Sequence, residues 1–361
     1  MAKIESKTGQ LVELLLHEIA SGRYPSNSCF PSERELVGQY RVSRITVRRG
    51  LDALEKCGVL IRRQGKGTFV RDAGQKPNTS PAVRAIKRVG FLFGVARWEN
   101  DFFKGIFHGF REFAGQTIST CVYFQDYLTP DVYRRDGLDV LIVDGDYDDT
   151  LLADLHRSGF KTITMNRVTP SGNYVCTNNE MGGYQMIAHL ASKGHRTVAV
   201  FPASFAGPLP GDEMTQRIKG ISRAARKFGI ELVFLRPPVV NVMAMHEAIR
   251  DALRRGRTFT AVVTLVDSFA QFVYNEMLHA GVAVPDDVSI VGYDDNSFDP
   301  FLPVPLTSIR QPLTDMARAL VRVVNDYVNG KPLRIRRQFA PALIERSSVC
   351  DLSTVSAGGG K

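Results

Sequence analysis

The sequence has few of the features that mark exported, membrane-bound or disulfide-stabilised proteins. Its five cysteines are scattered at positions 29, 57, 121, 176 and 350, and none forms a C-x-x-C pair. An odd number of isolated cysteines argues against a disulfide framework and favours a reducing compartment. No apolar run reaches the roughly 20 residues needed to span a bilayer, and no basic-then-apolar leader stands at the start. We therefore expect a cytoplasmic protein with no membrane partner.

Sequence signals for enzyme or metal chemistry are also weak. The segment "HEAIR" at His246 lacks the second histidine of a zinc-protease helix. "DGDYDD" from Asp144 lacks the glycine and the final glutamate of a calcium loop, so a solvated acidic turn is favoured. "GISRA" around Ser222 falls within a predicted helix and lacks the last glycine of a nucleophile elbow. We expect no catalytic residue, no metal and no cofactor.

Positive charge is concentrated in the first quarter of the chain. Residues 1–90 hold 17 basic and 8 acidic side chains, whereas residues 91–361 hold 29 of each. The whole formal charge of +9 therefore belongs to the first 90 residues. This asymmetry predicts a nucleic-acid-binding segment attached to an electrically neutral body, and the alternative is a solvated basic face without a partner.

Residues 31–56 predict two short helices separated by a tight turn. Ser32 and Glu35 form a capping box that opens the first of them. Ser43 supplies a second start signal, and apolar residues then recur at positions 47, 51 and 54, which is the spacing of one helical face. An amphipathic stretch over 11–20 predicts another helix before them. Together these segments predict the three-helix core of a helix-turn-helix domain.

A basic hairpin follows these helices. Val59–Arg63 and Thr68–Arg71 are strand-like, and the glycines between them suit a hairpin loop. Arg44 and Arg48 fall in the first turns of the preceding helix, where a recognition helix presents side chains to base edges in the major groove. The surrounding basic residues can neutralise phosphates. The pattern predicts a winged helix-turn-helix that binds double-stranded DNA.

These motifs closely resemble the DNA-binding domain of the GntR family of bacterial regulators. The matching segments are "PSERELV", "VSRITVRRGLDALEKCGVL" and "RRQGKGTFV". The resemblance implies base contacts from the third helix and a wing tip in the minor groove. In two departures, Ile45 replaces a frequent hydroxyl residue and suggests an apolar contact with a base, and Gly50 replaces the usual alanine. The candidate DNA-binding residues are Arg34, Ser43, Arg44, Ile45, Thr46, Arg48, Gln64, Gly65 and Lys66.

From Val89 onward, short apolar strands alternate with amphipathic helices. Such alternation predicts an α/β fold with parallel sheets covered on both faces. The length of this region exceeds one doubly wound sheet and suits two side by side. The predicted strands are Val89–Val95, Thr120–Phe124, Val140–Val143, Thr162–Met165, Thr197–Phe201, Leu232–Leu235, Ala261–Leu265 and Ser289–Tyr293, and the predicted helices are Phe102–Ala114, Gly182–Ser192, Asp212–Phe228 and Ser268–Ala280.

Residues 88–349 resemble the effector-binding domain of the LacI/GalR repressors, which shares its fold with periplasmic binding proteins. The most specific matches are "HAGVAVPDDVSIVGYDDN" and "PLTSIRQPLTDMARALVRVV". The resemblance implies two lobes that close on a small carbohydrate or nucleobase. The expected boundaries are 1–71 for the winged helix-turn-helix, 72–87 for a linker, about 88–194 with 312–329 and 195–309 with 331–349 for the two lobes, and 350–361 for a disordered tail.

The effector site is expected beyond the carboxyl ends of the strands. A sugar needs an aromatic plate for its C–H face and polar groups for adjacent hydroxyls. Trp98 or Phe102 would be the plate, unless Trp98 packs into the core. The resemblance selects Asn166, Arg217 and Asp294 as the polar contacts, although Arg217 could instead be a surface helix charge.

Two departures from the LacI/GalR pattern affect this site. Relatives usually carry Asn-Asp where this chain has Val266 and Asp267. Asn166 and Asn178 both stand where Asp is frequent. The lower negative charge suggests the hypothesis that either a different sugar or an anionic one, such as a phosphate or uronate, is bound. The candidate effector-binding residues are Trp98, Phe102, Asn166, Arg217, Asp267 and Asp294.

The two halves together predict a ligand-responsive bacterial transcriptional regulator, namely a repressor of carbohydrate genes. Its expected partners are double-stranded operator DNA and a small carbohydrate effector. Operators for such heads are two-fold symmetric, so a homodimer is expected. The alternatives are an enzyme acting on a small metabolite in the α/β region, and a regulator whose second domain only dimerises.

Overall fold

The computed structural model describes residues 11–353 except for 13, 16–17, 20–22, 26, 57–58, 64–66, 72–86, 94–100, 116–117, 125–132, 134–135, 144–148, 171, 202–211 and 236–241. The chain divides into two compact units. The first unit comprises Met1–Val95, Gly115–Val143 and Asp149–Thr162. The second comprises Ala96–Ala114, Asp144–Asp148 and Ile163–Lys361.

The N-terminal residues form the predicted winged helix-turn-helix. The described residues between 11 and 19 are helical, and they are followed by α1 (Glu33–Tyr40) and α2 (Arg44–Lys56). The capping box is present, since the Ser32 N–H donates to Glu35 Oε2 at 2.7 Å. Arg41 closes α1 in the left-handed conformation, with φ of 51°, and so turns the chain toward α2.

A small apolar core holds the three helices to the wing. The wing strands β1 (Leu60–Arg63) and β2 (Gly67–Val70) pair antiparallel. The predicted apolar stripe of α2 faces inward because positions 47, 51 and 54 recur at helical spacing. The buried residues of this core are Leu11, Leu15, Phe30, Leu36, Val47, Leu51, Leu54, Leu60 and Val70.

The rest of the chain alternates strands and helices, as predicted. In chain order the elements are β3 (Lys87–Phe93), α3 (Asp101–Ala114), β4 (Ile118–Phe124), β5 (Val140–Val143), α4 (Asp149–Arg157), β6 (Thr162–Met165), β7 (Tyr174–Thr177), α5 (Asn179–Ser192), β8 (Thr197–Phe201), α6 (Glu213–Phe228), β9 (Glu231–Phe234), α7 (Val242–Arg254), β10 (Ala261–Thr264), α8 (Asp267–His279), β11 (Ser289–Asp294), β12 (Thr307–Arg310), α9 (Leu313–Val328), β13 (Arg336–Phe339) and β14 (Ala342–Ile344).

These strands form two six-stranded sheets. One has the order β13-β7-β6-β5-β3-β4, and the other has the order β14-β12-β11-β10-β8-β9. The pairs with a resolved register are parallel, except that β12 and β14 are antiparallel. Strands β5, β6 and β10 are buried at every residue, as expected for strands covered on both faces. The predicted α/β fold with two parallel-dominant sheets is confirmed.

Helices α5 and α6 approach each other closely because glycines line their contact. A Cβ atom at Gly183 would lie 2.1 Å from the backbone oxygen of Arg217. One at Gly220 would lie 1.9 Å from the backbone oxygen of Glu180. Backbones this close exclude any side chain larger than hydrogen. The contact therefore fixes the start of α6, which carries Arg217, against α5.

The structure corrects two of the predicted boundaries. Residues 331–349 were assigned to the second lobe, but β13 pairs with β7 in the first sheet and only β14 joins the second. The short, arginine-rich β13 has one buried residue, so its hydrophobic pattern could not place it. The predicted disordered tail began at 350, yet the Cys350 N–H donates to Ser289 Oγ at 2.9 Å and the Leu352 N–H to the Lys193 carbonyl at 2.8 Å.

Several shorter elements were not predicted from the pattern. These are α4, α7, β7, β12, β13 and β14, and α9 was recognised only through the matched segment. Strands of three or four residues are too short to show a clear alternation of apolar and polar residues. The predicted linker 72–87 falls outside the described residues except for Lys87, which begins β3.

Candidate functional site

The start of the recognition helix α2 is set by its first turn. Ser43 Oγ accepts a hydrogen bond from the Thr46 N–H at 3.1 Å, which is the geometry of an N-cap. The two hydroxyls are 2.8 Å apart. Both residues are engaged in this capping interaction, so they fix where α2 begins and which side chains its first turn presents.

The exposed face of α2 carries two arginines and an isoleucine. Arg44 Nε and Arg48 Nε both reach the carboxylate of Glu33 in α1, at 3.2 and 3.4 Å. These two guanidiniums hold the pKa of Glu33 below its usual value. Ile45 lies beside them with 67% of its surface exposed, which is unusual for a large aliphatic side chain. This face is therefore cationic with one apolar contact point.

The other predicted DNA-binding residues have different environments. Arg34 is exposed on α1. Arg62, which the charge pattern grouped with them, donates to Asp52 at 2.8 Å and lies 3.3 Å from Glu55, so it ties the wing to α2. Arg63 stacks over the ring of Phe69 at 4.8 Å. The wing-tip candidates Gln64, Gly65 and Lys66 lie outside the described residues.

Arg217 is the centre of a buried polar cluster in the second unit. Its side chain is only 2% exposed, so the surface-charge alternative is wrong. Its guanidinium donates from Nε to Asn179 Oδ1 at 3.0 Å and from Nη1 to the Leu265 carbonyl. The Tyr293 ring lies beneath it at 3.6 Å, and Asp294 Oδ1 is 3.5 Å from Nη2. Each of the three guanidinium nitrogens therefore has one protein group beside it.

Asp294 ends β11 and joins this cluster from the second sheet. Gln311 Nε2 donates to Asp294 Oδ1 at 2.7 Å, and Thr177 Oγ1 donates to Gln311 Oε1 at 2.6 Å. Burial raises the pKa of Asp294 to about 7, against the lowering effect of Arg217. The carboxyl is thus poised between its neutral and ionised forms near neutral pH.

Asn166 provides a buried acceptor that no described residue satisfies. It follows β6 with a left-handed φ of 56°, and it is nearly buried. Its Oδ1 has no hydrogen-bond partner within the described part of the chain. An unpaired buried amide oxygen is costly, so this atom is the kind of group that a ligand hydroxyl or ammonium satisfies.

Of the two aromatic candidates, the structure describes only Phe102. Phe102 lies in the first turn of α3 and is buried, with its ring edge-on to Phe103 at 5.3 Å. Trp98 lies outside the described residues. Phe102 is therefore a core residue of α3.

Asp267 does not share the environment of Arg217. It is fully buried, and its carboxylate accepts from Ser308 Oγ at 2.9 Å and from the Asn296 N–H at 3.2 Å. Its other neighbour is the buried carboxyl of Asp299, which raises the pKa of Asp267 after the larger effect of burial itself. Its oxygens are occupied by protein groups, which favours a structural role for this residue.

Sequence reasoning missed four residues of these clusters, namely Asn179, Tyr293, Gln311 and Asp299. No spacing in the chain connects them to Arg217 or Asp267. The expectation that ligands bind beyond the carboxyl ends of the strands does point to Tyr293 and Gln311, because each stands at or just beyond the end of a strand.

The described ranges hold neither a metal-binding cluster nor a membrane-spanning helix. Within them, no group of three or more histidine, cysteine or acidic side chains is arranged to hold a metal ion. No helix in that part of the chain combines the length and apolar character needed to cross a bilayer.

Two family models match the chain. The one described as bacterial regulatory proteins of the gntR family matches residues 7–70, and the one described as a periplasmic binding protein-like domain matches residues 187–349. The HTH-type transcriptional repressor PurR of Photobacterium profundum is 29% identical over 327 residues, covering 80% of this chain and 93% of that protein. The arabinose metabolism transcriptional repressor of Geobacillus stearothermophilus is 28% identical over 370 residues, covering 95% and 97%.

Solved structures show the same body fold. A LacI family transcriptional regulator from Enterococcus faecium with bound ribose has a TM-score of 0.62 at 24% identity, covering 74% of this chain and all of that one. The lac repressor dimer bound to operator and an anti-inducer has a TM-score of 0.63 at 19% identity, covering 74% and 96%. The matched relatives are transcriptional regulators rather than enzymes. The predicted combination of a GntR-type head with a LacI/GalR-type body is confirmed.

Proposed function

Because this chain joins a gntR-family winged helix-turn-helix to a periplasmic binding protein-like body, we propose that it is a transcriptional repressor whose operator affinity is set by a small sugar. One observation carries the proposal. The same chain has an exposed cationic helix face at Arg44 and Arg48, and a buried Arg217–Asp294 pair together with the free acceptor of Asn166. The first suits a polyanion, and the second suits a small polar ligand.

The DNA contact is proposed for α2 in the major groove. Arg44 and Arg48, which each reach one oxygen of the Glu33 carboxylate through Nε in the free protein, would exchange that contact for the O6 and N7 atoms of a guanine. Ile45 between them would contact a thymine methyl. Arg34 would neutralise a phosphate, and Ser43 and Thr46 would hold the first turn in place.

The wing is proposed to add a minor-groove contact. Gln64, Gly65 and Lys66 lie between β1 and β2 in the sequence. Gly65 and Gly67 would let the backbone approach the groove floor, and Lys66 would add a phosphate contact. Arg62 contributes by holding the hairpin against α2 rather than by touching DNA.

The effector is proposed to be a neutral sugar bound among Asn166, Arg217 and Asp294. A guanidinium donates two bonds and a carboxylate accepts two, so the pair can grip adjacent hydroxyls. The Asn166 oxygen would take a third hydroxyl, and Trp98 would cover the C–H face, because Phe102 is buried in the core. Asp267 would have a structural role, since its oxygens already accept from Ser308 and Asn296. Relatives named for arabinose metabolism and for the ribose operon make pentoses the first candidates to test.

A homodimer is proposed through the second unit. Leu278 at the end of α8 is 73% exposed, and Phe301 in the short turn after β11 is 85% exposed. Met243 in α7 is also exposed. These three side chains are the first positions to test for contact with a second copy. The two winged helix-turn-helix domains of the dimer would then bind DNA half-sites about 34–36 Å apart, or a multiple of that distance.

The test uses the full chain, promoter fragments and a panel of sugars. Fluorescence anisotropy measures the affinity for DNA at low ionic strength. The shift in melting temperature on adding each sugar measures sugar binding. We expect Arg44→Ala to weaken DNA binding without changing the sugar response, and Asp294→Asn to do the reverse. Turnover of any sugar would revive the enzyme alternative. A chain that binds no promoter fragment under these conditions would contradict the proposal.

A further inference from the structure

A groove unrelated to the Arg217 cluster lies on the surface of the second unit. It runs between α9, the segment around β13 and the last turn of α3, and has a volume of about 740 Å³. Part of its lining is apolar, with Phe113 from α3, Val321 and Val323 from α9 and Phe339 from β13. This part of the lining offers contact area to a ligand that brings hydrophobic groups.

Four arginines line the same groove, and two acidic residues accompany them. The arginines are Arg318, Arg322, Arg334 and Arg337. One acid, Asp315, lies 3.7 Å from Arg318 in the next turn of α9. The other, Asp326, is also neutralised, because the ammonium of a nearby lysine lies 2.8 Å from its carboxylate.

Three of these guanidiniums have no ionic partner among the residues that the structure describes. In the part of the chain that the structure describes, no carboxylate lies within 4.0 Å of Arg322, Arg334 or Arg337. Arg337 only stacks over the ring of Phe339, at 4.5 Å. Residues 91–361 hold equal numbers of basic and acidic side chains. The three arginines are therefore a local excess of positive charge on a region with no net charge. Unpaired arginines beside apolar surface are the usual means of recognising acidic or phosphorylated groups.

The strand that borders the groove also has a free edge. β13 ends its sheet and pairs with β7 alone among the described strands. The carbonyls of Ile335 and Phe339 accept from N–H groups on the β7 side. Since backbone groups alternate along a strand, those of Arg336 and Gln338 point away from the sheet. An extended peptide could pair with this edge by strand addition.

We propose that this groove binds an acidic segment of a partner protein, extended along β13 with its carboxylates on Arg322, Arg334 and Arg337. DNA is a poorer fit, because a phosphate backbone makes no use of the apolar part of the lining. The site is separate from the DNA and sugar sites, so it does not rest on the proposed function.

The experiment uses the full-length chain and a fluorescein-labelled octaglutamate peptide. Excess non-operator duplex DNA is present to occupy the cationic head. The groove variant is Arg322→Gln with Arg334→Gln. The matched control is Arg254→Gln with Arg255→Gln, which removes the same charge from exposed positions at and just beyond the end of α7.

We expect the groove variant to weaken peptide binding about tenfold and the control by less than about twofold. In the unmodified chain, the peptide should slow hydrogen–deuterium exchange of the β13 amides, a measurement that needs no variant. Equal weakening by both variants, or protection confined to the head, would overturn the proposal. Protection of β13 by the DNA itself would also overturn it and assign the groove to nucleic acid.

Discussion

The buried carboxyl pair beneath β11 gives the sharpest prediction about stability. Asp267 and Asp299 are both fully buried and face each other within hydrogen-bonding reach. Asp267 accepts from Ser308 and Asn296, whereas neither carboxyl oxygen of Asp299 receives a donor from any described residue. A proton shared between the two carboxyls removes the repulsion and provides the missing donor. We therefore expect Asp299→Asn to stabilise the protein, because an amide supplies that donor without a proton.

The magnitude follows from the pKa of Asp299. Burial raises this pKa from 3.8 to about 6, against the lowering effects of the Asp267 side chain, through hydrogen bonding, and of nearby Arg346, while Asp295 and Asp294 raise it. The unfolded chain loses this proton near pH 4 and the folded chain only near pH 6, so stability falls as the pH rises through that window. The loss is about 3 kcal/mol, at about 1.4 kcal/mol for each pKa unit. Asp299→Asn should recover an amount of this order at pH 7.5 and little at pH 4.

The assay is urea unfolding of the full chain between pH 4 and 8, followed by the fluorescence of Trp98, its only tryptophan. The matched control is Asp295→Asn. The Asp295 carboxylate is also buried, but it accepts from the guanidiniums of Arg310 and Arg346. Removing its charge leaves both cations unpaired, so the control should destabilise the chain. If Asp299→Asn lowers stability at pH 7.5, the carboxylate is needed in its ionised form and the shared proton is refuted.

Three further predictions concern single side chains. Gly50→Ala should stabilise the head by about 1 kcal/mol in thermal unfolding, because its Cβ would meet Leu11 and Val12 at an ordinary 3.5 Å and the helix gains propensity; an unchanged or lower midpoint would contradict this. Gly183→Ala should destabilise the body by roughly 1–3 kcal/mol, because α5 and α6 must move apart; an unaltered unfolding midpoint would show that they can separate freely. Ile45→Ala should weaken operator binding by about 1 kcal/mol in anisotropy titrations without changing the folding midpoint; equal affinity would remove the proposed methyl contact.

The sequence alone determined the head and its charge. The capping box at Ser32 and Glu35 and the stripe on α2 are local signals, and both are present in the structure. Such local signals predict the structure correctly because they depend on neighbours three or four residues away in the sequence. Buried strands such as Val140–Val143 were predicted for the same reason, since each is a short run of apolar residues.

Tertiary structure alone decided how the polar groups of the body are paired. Arg217 could be a surface charge or a ligand contact by sequence, and only its burial against Asn179, Tyr293 and Asp294 settled that it lies inside. No spacing in the sequence indicated the shared environment of Asp267 and Asp299, or the arginines of the groove that have no ionic partner among the described residues. The physical reason is that these groups come from different strands and helices. Their burial and pairing depend on which elements the sheets bring together, and no local pattern records that.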